Sequence, residues 1–134
     1  MILNSSTTHI LAGALPHMSP CQAHRHTHSL ATWLHDRGYT SEPAYWWRDG
    51  VYQPVRIVSA QCTGDWDNTL ARAADAYDQS EMLVIHGADA VSRIHVPSRR
   101  REPAGRWVHV PRHTALRQRE YVERADHHWI LVPH

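Results

Sequence analysis

The sequence of 134 residues contains no lysine, no phenylalanine and only two cysteines. Without lysine, the chain has no Walker-type phosphate loop and no lysine that forms a Schiff base or acts as a general base. No Cys-x-x-Cys pair is present, which excludes a thioredoxin-like redox motif and a four-cysteine zinc ribbon. A membrane-spanning helix needs about 18 or more consecutive apolar residues, and no such run occurs, so no membrane partner is expected.

The first four residues also lack the positive charge and the long apolar stretch of a secretory signal. We therefore expect a cytoplasmic protein whose cysteines stay reduced. Hydrophobic residues make up 42% of the chain and charged residues 20%. This length and composition predict a single globular domain over residues 1–134 rather than a disordered chain.

Arginine, histidine and tryptophan are present in excess. All 14 basic residues are Arg, and there are 13 His and 6 Trp. Residues 99–134 hold eight Arg against four acidic residues, a balance of +4, whereas residues 1–98 carry a balance of −3. A basic C-terminal third is typical either of a solvated face or of a surface that meets an anionic partner.

Local signals predict one long helix with well-defined ends. Ser19 followed by Pro20 is typical of an N-cap and a first helical position. Gly38, directly after Arg37, is typical of the left-handed residue that ends a helix. Two further helices are predicted, one from about Thr63 or Asp65 through Tyr77 and a short one from Thr114 to about Arg124.

The Asp49-Gly50 pair, between an aromatic run and a β-branched run, predicts a hairpin. Strands are predicted near residues 7–14, 44–47, 51–59, 82–86, 91–96, 106–110 and 128–132. The resulting order, β-α-β-β-α-β-β-β-(α)-β, predicts an α+β domain. In this domain a mixed, mostly antiparallel sheet carries two main helices packed on one face.

Two segments carry a partial resemblance to known proteins. They are the helix end Trp33-Leu34-His35-Asp36-Arg37-Gly38-Tyr39, and Tyr77-Asp78-Gln79 running into Met82-Leu83-Val84-Ile85. Over residues 24–85, less than half of the chain, the sequence resembles small uncharacterised α/β domains of bacteria and their phages. The resemblance implies a bacterial or mobile-element origin and supports the fold, and it carries no particular activity.

Arginine and aromatic residues in the C-terminal third form the best candidate for a binding surface. Arg presents a planar fork to phosphates and carboxylates and stacks on aromatic rings. Such a surface suits a nucleic acid or an acidic protein, although a solvated face is the alternative. The predicted surface comprises Arg99, Arg100, Arg101, Arg106, Trp107, Arg112, Arg117 and Arg119.

The adjacent residues Trp46 and Trp47 are also candidate binding residues. In a strand, neighbouring side chains face opposite sides. One indole ring is therefore expected to be exposed or covered by a partner, unless the protein's own helices cover both. Trp and Arg are enriched at the centres of protein interfaces.

The candidate metal site consists of Cys21, His24 and His28. On a helix these residues share one face, and a thiolate with two imidazoles is a ligand set that suits zinc. A fourth ligand would come from Cys62, His17 or water. The alternative is that these histidines are solvated side chains on a helix surface.

His86 and Asp89 are the alternative catalytic candidates. His86 ends a predicted central strand, where ligand chemistry is often placed in open α/β sheets. An oriented His–Asp pair would act as a general base. The alternative is a histidine that satisfies a loop carbonyl, which is favoured because no nucleophile motif accompanies the pair.

Together these features predict a small, non-enzymatic interaction or regulatory protein. Its Arg- and aromatic-rich surface would bind a nucleic acid or an acidic protein, with no cofactor, and the formation of a homo-oligomer is left open. The alternative prediction is a metal-dependent enzyme, for example a hydrolase, that uses the Cys/His cluster with zinc.

Overall fold

A computed structural model describes residues 6–61 and 66–133. Its elements, in chain order, are β1 (Ser6–Ala12), α1 (Pro20–Asp36), β2 (Ser41–Arg48), β3 (Val51–Gln61), α2 (Trp66–Ala76), β4 (Glu81–His86), β5 (Ala90–His95), β6 (Arg100–Val110), α3 (Arg112–Ala115), β7 (Glu120–Arg124) and β8 (His127–Val132). The strands form a closed antiparallel barrel in the order β1-β3-β2-β7-β8-β6-β5-β4.

The predicted α+β architecture, a sheet with two helices on one face, is wrong because the sheet closes on itself. The segment predicted as a third helix, Thr114–Arg124, contains β7 instead, preceded by the four-residue α3. Val122 pairs with Trp46 of β2 on one side and with Trp129 of β8 on the other. β7 therefore joins two parts of the sheet that would otherwise have free edges, and closure removes those edges.

The barrel interior is filled from all eight strands. A cluster of ten buried apolar residues includes Ile10, Trp46 and Leu83 at its centre, with Ala104, Trp107 and Leu131 packed against it. These residues alternate along each strand with residues that face outward, as the two-residue period of a strand requires. The inner and outer faces of every strand can therefore be told apart.

Two of the helices lie on the outside of the barrel and share a second apolar cluster. Leu30 and Leu34 of α1 and Leu70 of α2 pack with outward residues of the strands, among them Val58 and Met82. The second predicted helix is confirmed as α2, although its predicted start at Thr63 or Asp65 lies outside the described residues. No helix within residues 6–61 and 66–133 is both long and apolar enough to cross a membrane.

The ends of α1 agree with the prediction. The Ser19 hydroxyl accepts from the Gln22 N–H at 3.2 Å, and the Ser19 N–H donates to the Gln22 side chain at 3.2 Å, which forms a capping box. At the other end Gly38 has φ +83°, and the Tyr39 N–H donates to the Leu34 carbonyl at 3.0 Å. This pattern is a Schellman motif, which needs a left-handed residue at the position of Gly38.

Replacing Gly38 by valine is expected to destabilise the protein by about 1–2 kcal/mol, because a β-branched residue tolerates a positive φ poorly. A Cβ at this position meets no heavy atom within 4 Å, so the loss would come from backbone strain rather than from a clash. Urea unfolding measures the effect. Gly38→Asn is the control and should cost less, since Asn adopts left-handed conformations more readily; equal stability of the Val variant and the wild type would contradict the prediction.

Candidate functional site

Most arginines of the predicted binding surface are paired with carboxylates of the protein itself. Arg99, at φ +62°, lies in the turn between β5 and β6 and donates to the Val96 carbonyl. Exposed pairs of this kind contribute little to stability, but they neutralise the charge that a partner would meet. The pairs are Arg99–Asp75 (3.6 Å), Arg100–Glu102 (2.7 Å), Arg101–Asp67 and Arg106–Asp89 (3.8 Å).

Three arginines of the predicted surface remain available. Arg112, Arg117 and Arg119 lie on α3 and in the loop that leads to β7, and all three are exposed. Within the described part of the chain, no carboxylate forms an ion pair with any of them. We call these residues the free arginine set.

Trp46 and Trp47 face opposite sides of β2, as predicted. Trp46 is 1% exposed and lies inside the barrel, where its Nε1 donates to Glu120 at 2.8 Å. Trp47 lies outside, half-buried against the rings of Tyr52 and Tyr121 at centroid distances of 5.3 and 6.0 Å. Trp46 is thus a core residue, and Trp47 is covered largely by the protein's own aromatic side chains.

Trp46 belongs to a charged network inside the barrel. The Arg48 guanidinium lies 3.8 Å from the centre of the Trp46 ring and donates to Glu81 at 2.7 Å. Arg93 donates through both Nη atoms to Glu120, at 2.9 Å for Nη1, and these hydrogen bonds raise the pKa of Arg93. The four charged side chains are only 19–28% exposed and balance each other, so the network is a structural one.

The zinc site predicted on Cys21, His24 and His28 is wrong. Within residues 6–61 and 66–133, no group of three or more His, Cys, Asp or Glu residues is arranged to hold a metal ion. All three residues are exposed on α1, and His24 and His28 border a groove between this helix and the outer faces of β2 and β3 instead. Cys62, a proposed fourth ligand, lies outside the described residues.

His86 and Asp89 have separate partners. His86 Nε2 lies 2.7 Å from Nη1 of Arg101, whereas the Asp89 carboxylate faces Arg106. The predicted catalytic pair is therefore replaced by two arginine contacts, one to each residue.

Sequence reasoning missed the histidine that does pair with an aspartate. His9 of β1 is 1% exposed, and its Nε2 lies 2.6 Å from Asp67 Oδ1 of α2. Burial lowers the pKa of His9 to about 4, and the charges of His86 and Arg101 act in the same direction. The neutral imidazole donates from Nε2 to Asp67 and so ties α2 to the barrel.

Four aromatic rings lie together on the inner face of β6 and β8, where this face extends toward one end of the barrel. Trp107 and Trp129 are nearly parallel, with centroids 5.9 Å apart, and the rings of His109 and His127 lie 5.4 and 5.9 Å from that of Trp129. The His109–His127 centroid distance is 5.2 Å. Both histidines are exposed and both tryptophans are half-buried. We call these four residues the ring platform.

The surroundings of the ring platform are partly basic. A recess of about 140 Å³ separates Trp107 and Trp129 from β1 and β3. The Arg124 guanidinium lies 5.6 Å from the Trp129 ring and also pairs with Glu42. β6 ends at Val110 and α3 begins at Arg112, so the free arginine set follows the platform closely in the chain, and Ala115 of α3 packs with Tyr121 and Ile130 on the outer face.

Of the ring platform, only Trp107 was predicted to bind a partner. The sequence signal for the others is the alternation Trp107-x-His109 in β6 and His127-x-Trp129 in β8, which places each pair on one face of its strand. In comparisons with known proteins, no family model and no curated protein matches this chain.

Proposed function

We propose that this protein is a non-enzymatic binding module for single-stranded nucleic acid. The observation that carries the proposal is the ring platform, where four aromatic rings lie within 6 Å of a neighbour and two of them are exposed. Bases of single strands stack on such side chains, and each stacked base contributes about 1–3 kcal/mol to binding regardless of its identity. A cytoplasmic setting belongs to the same proposal.

The free arginine set supplies the second part of this proposed interface. Phosphates attract exposed cations, and among the described residues Arg112, Arg117 and Arg119 form no direct ion pair with a carboxylate, although the charge of Arg112 acts on Glu123. Their guanidinium forks suit phosphate oxygens. If the bases of a single-stranded nucleic acid lie on the ring platform, its sugar-phosphate backbone would run toward the loop that carries these arginines.

Replacing Arg112, Arg117 and Arg119 together by alanine is expected to weaken binding of a single-stranded oligonucleotide at low salt. The logarithm of the affinity should also fall less steeply with the logarithm of the salt concentration. Each lost phosphate contact lowers the slope by about 0.7 for a single strand, so three contacts lower it by about 2. Fluorescence anisotropy of a labelled oligo-dT across a salt series measures both quantities.

The matched control replaces three exposed arginines elsewhere, Arg25, Arg72 and Arg100, by alanine. This variant has the same change in net charge and should lose less affinity and keep the wild-type slope. His109→Ala with His127→Ala tests the platform separately and should weaken binding about tenfold. Equal loss in the two triple variants, or unchanged binding in the histidine variant, would contradict the proposal.

An acidic protein is the second candidate partner. Leu116, which lies between Arg112 and Arg117 in the sequence, is 54% exposed, more than any other large apolar side chain in the described part of the chain. Arg is enriched at the centres of protein interfaces, and an exposed apolar side chain near it in the chain adds surface that a partner would bury. Absence of oligonucleotide binding in the wild type even at low salt would favour this partner.

A further inference from the structure

A groove of about 710 Å³ runs between α1 and the outer faces of β2 and β3. Small-molecule sites typically have volumes of roughly 300–1,000 Å³. The buried residues of α1, Leu30 and Leu34, lie in the second half of the helix. The first half therefore stands away from the strands, and the groove opens beneath it. The groove shares no residue with the ring platform or the free arginine set.

The floor of the groove is largely apolar and carries two aromatic rings. Tyr45 and Tyr52 stack there at a centroid distance of 4.8 Å and an interplanar angle of 14°. They are 45% and 42% exposed, and the rings of Pro43 and Pro54 continue the same surface. The Tyr52 hydroxyl donates to Glu123, which holds the ring in place. These two rings suit an aromatic ligand, because a third ring can pack against the pair edge-to-face or offset-stacked.

The groove is also lined by two side chains that can donate hydrogen bonds, Arg56 and His28. A neighbouring recess shares His28, Ala31 and Arg56 with the groove, so these residues border both cavities. Arg56 donates to the hydroxyl and the carbonyl of Ser41 at 3.0–3.1 Å. Within the described residues, no carboxylate forms a direct ion pair with it, although the charge of Glu42 acts on it from further away. Burial lowers the pKa of Arg56, since partial desolvation disfavours the charged form.

We propose that this groove binds a small aromatic carboxylate. Its carboxylate would accept hydrogen bonds from Arg56 and His28, and its ring would pack against the stacked pair Tyr45 and Tyr52. Hydrogen bonds from a guanidinium to a carboxylate are charge-assisted and therefore stronger than those to a neutral acceptor. This proposal is independent of nucleic-acid binding, since the two sites share no residue.

Calorimetric titration of the full chain with 2-naphthoate, and with the neutral 2-naphthamide, tests the proposal. We expect saturable one-to-one binding of naphthoate and at least tenfold weaker binding of the amide, since hydrogen bonds to charged groups discriminate by about this factor. His28→Ala should weaken naphthoate binding severalfold. His26→Ala is the matched control, because His26 is also exposed on α1 but borders a different recess, and it should leave the affinity unchanged.

Arg56→Gln should weaken naphthoate binding about tenfold and reduce the preference over the amide. A thermal melt shows whether this variant folds, and His28→Ala keeps the test valid if it does not. Equal affinities for naphthoate and naphthamide, no saturable binding at millimolar concentration, or no effect of His28→Ala would overturn the proposal. Tighter binding of decanoate, an aliphatic carboxylate, than of naphthoate would overturn the claim that the groove prefers an aromatic ligand.

Discussion

Replacing Glu120 by alanine is expected to destabilise the protein by about 3 kcal/mol, with a loss in Tm of roughly 10 °C. Glu120 accepts from both Nη atoms of Arg93 and from Nε1 of Trp46 inside the barrel. Its removal takes away the carboxylate that accepts both hydrogen bonds of a guanidinium only 27% exposed, on which Glu81 and Glu102 act by charge alone. It also leaves the N–H of a 1% exposed indole without its acceptor. Urea unfolding followed by tryptophan fluorescence measures the loss.

A matched control and a rescue variant separate this network effect from the general effect of losing a glutamate. Glu102 pairs with Arg100 on the surface, with both side chains more than half exposed, so Glu102→Ala should change stability by less than about 1 kcal/mol. Glu120→Leu combined with Arg93→Met removes both charges and should recover much of the loss. A Glu120→Ala variant as stable as the Glu102→Ala variant would show that the network contributes little.

Closure of the barrel depends on a strand that local sequence does not reveal. The residues before β7, from Arg112 to Arg119, are polar and compatible with a helix, and β7 itself has only five residues. Tyr121 and Val122 favour a strand, but two residues are too few to decide between a strand and a short helix. The decisive interactions are the pairings of Val122 with Trp46 and Trp129. The partner in β2 is 76 positions away in the chain, so only the complete fold reveals it.

Features that depend on neighbouring residues were predicted correctly. Ser19, Pro20 and Gly38 define α1 because caps act within one helical turn. The Asp49-Gly50 turn joins β2 and β3 with positive φ at both residues, as a type I′ turn requires. Because these interactions join residues only two to four positions apart, a short stretch of sequence contains all the residues needed to predict them.

The candidate binding site depends on contacts between distant parts of the chain, which local sequence does not predict. Arg101 appears free in the sequence, yet its carboxylate partner, Asp67, lies in a different element 34 positions earlier. The ring platform likewise requires β6 and β8 to pair with His109 opposite Trp129. Alternation within each strand predicts two pairs of aromatic residues, and only the register between the strands brings all four rings together.

Replacing Gly105 by alanine is expected to be the most damaging single-methyl addition in the barrel, at about 4 kcal/mol, as overpacking and backbone strain each cost about 1–3 kcal/mol. Gly105 is buried in β6 at φ +118°, and a Cβ there would lie 2.3 Å from the Val132 carbonyl oxygen. The next contacts, Val132 C at 2.9 Å and Pro133 Cα at 3.1 Å, are also backbone atoms. No side-chain movement relieves such a clash, so the end of β8 has to move away from β6.

The control for this variant is Gly87→Ala, which adds the same methyl group at φ +60° but meets no heavy atom within 4 Å. It should cost only about 1 kcal/mol, the strain of a left-handed alanine. Urea unfolding compares the two variants. Because β6 and β8 also carry the ring platform, Gly105→Ala should weaken oligonucleotide binding under conditions where it remains folded, whereas Gly87→Ala should not. Equal stability of the two variants would show that the backbone of Val132 and Pro133 can move away from Gly105 at little cost. The close approach of β8 to Gly105 would then not be needed to keep the barrel closed.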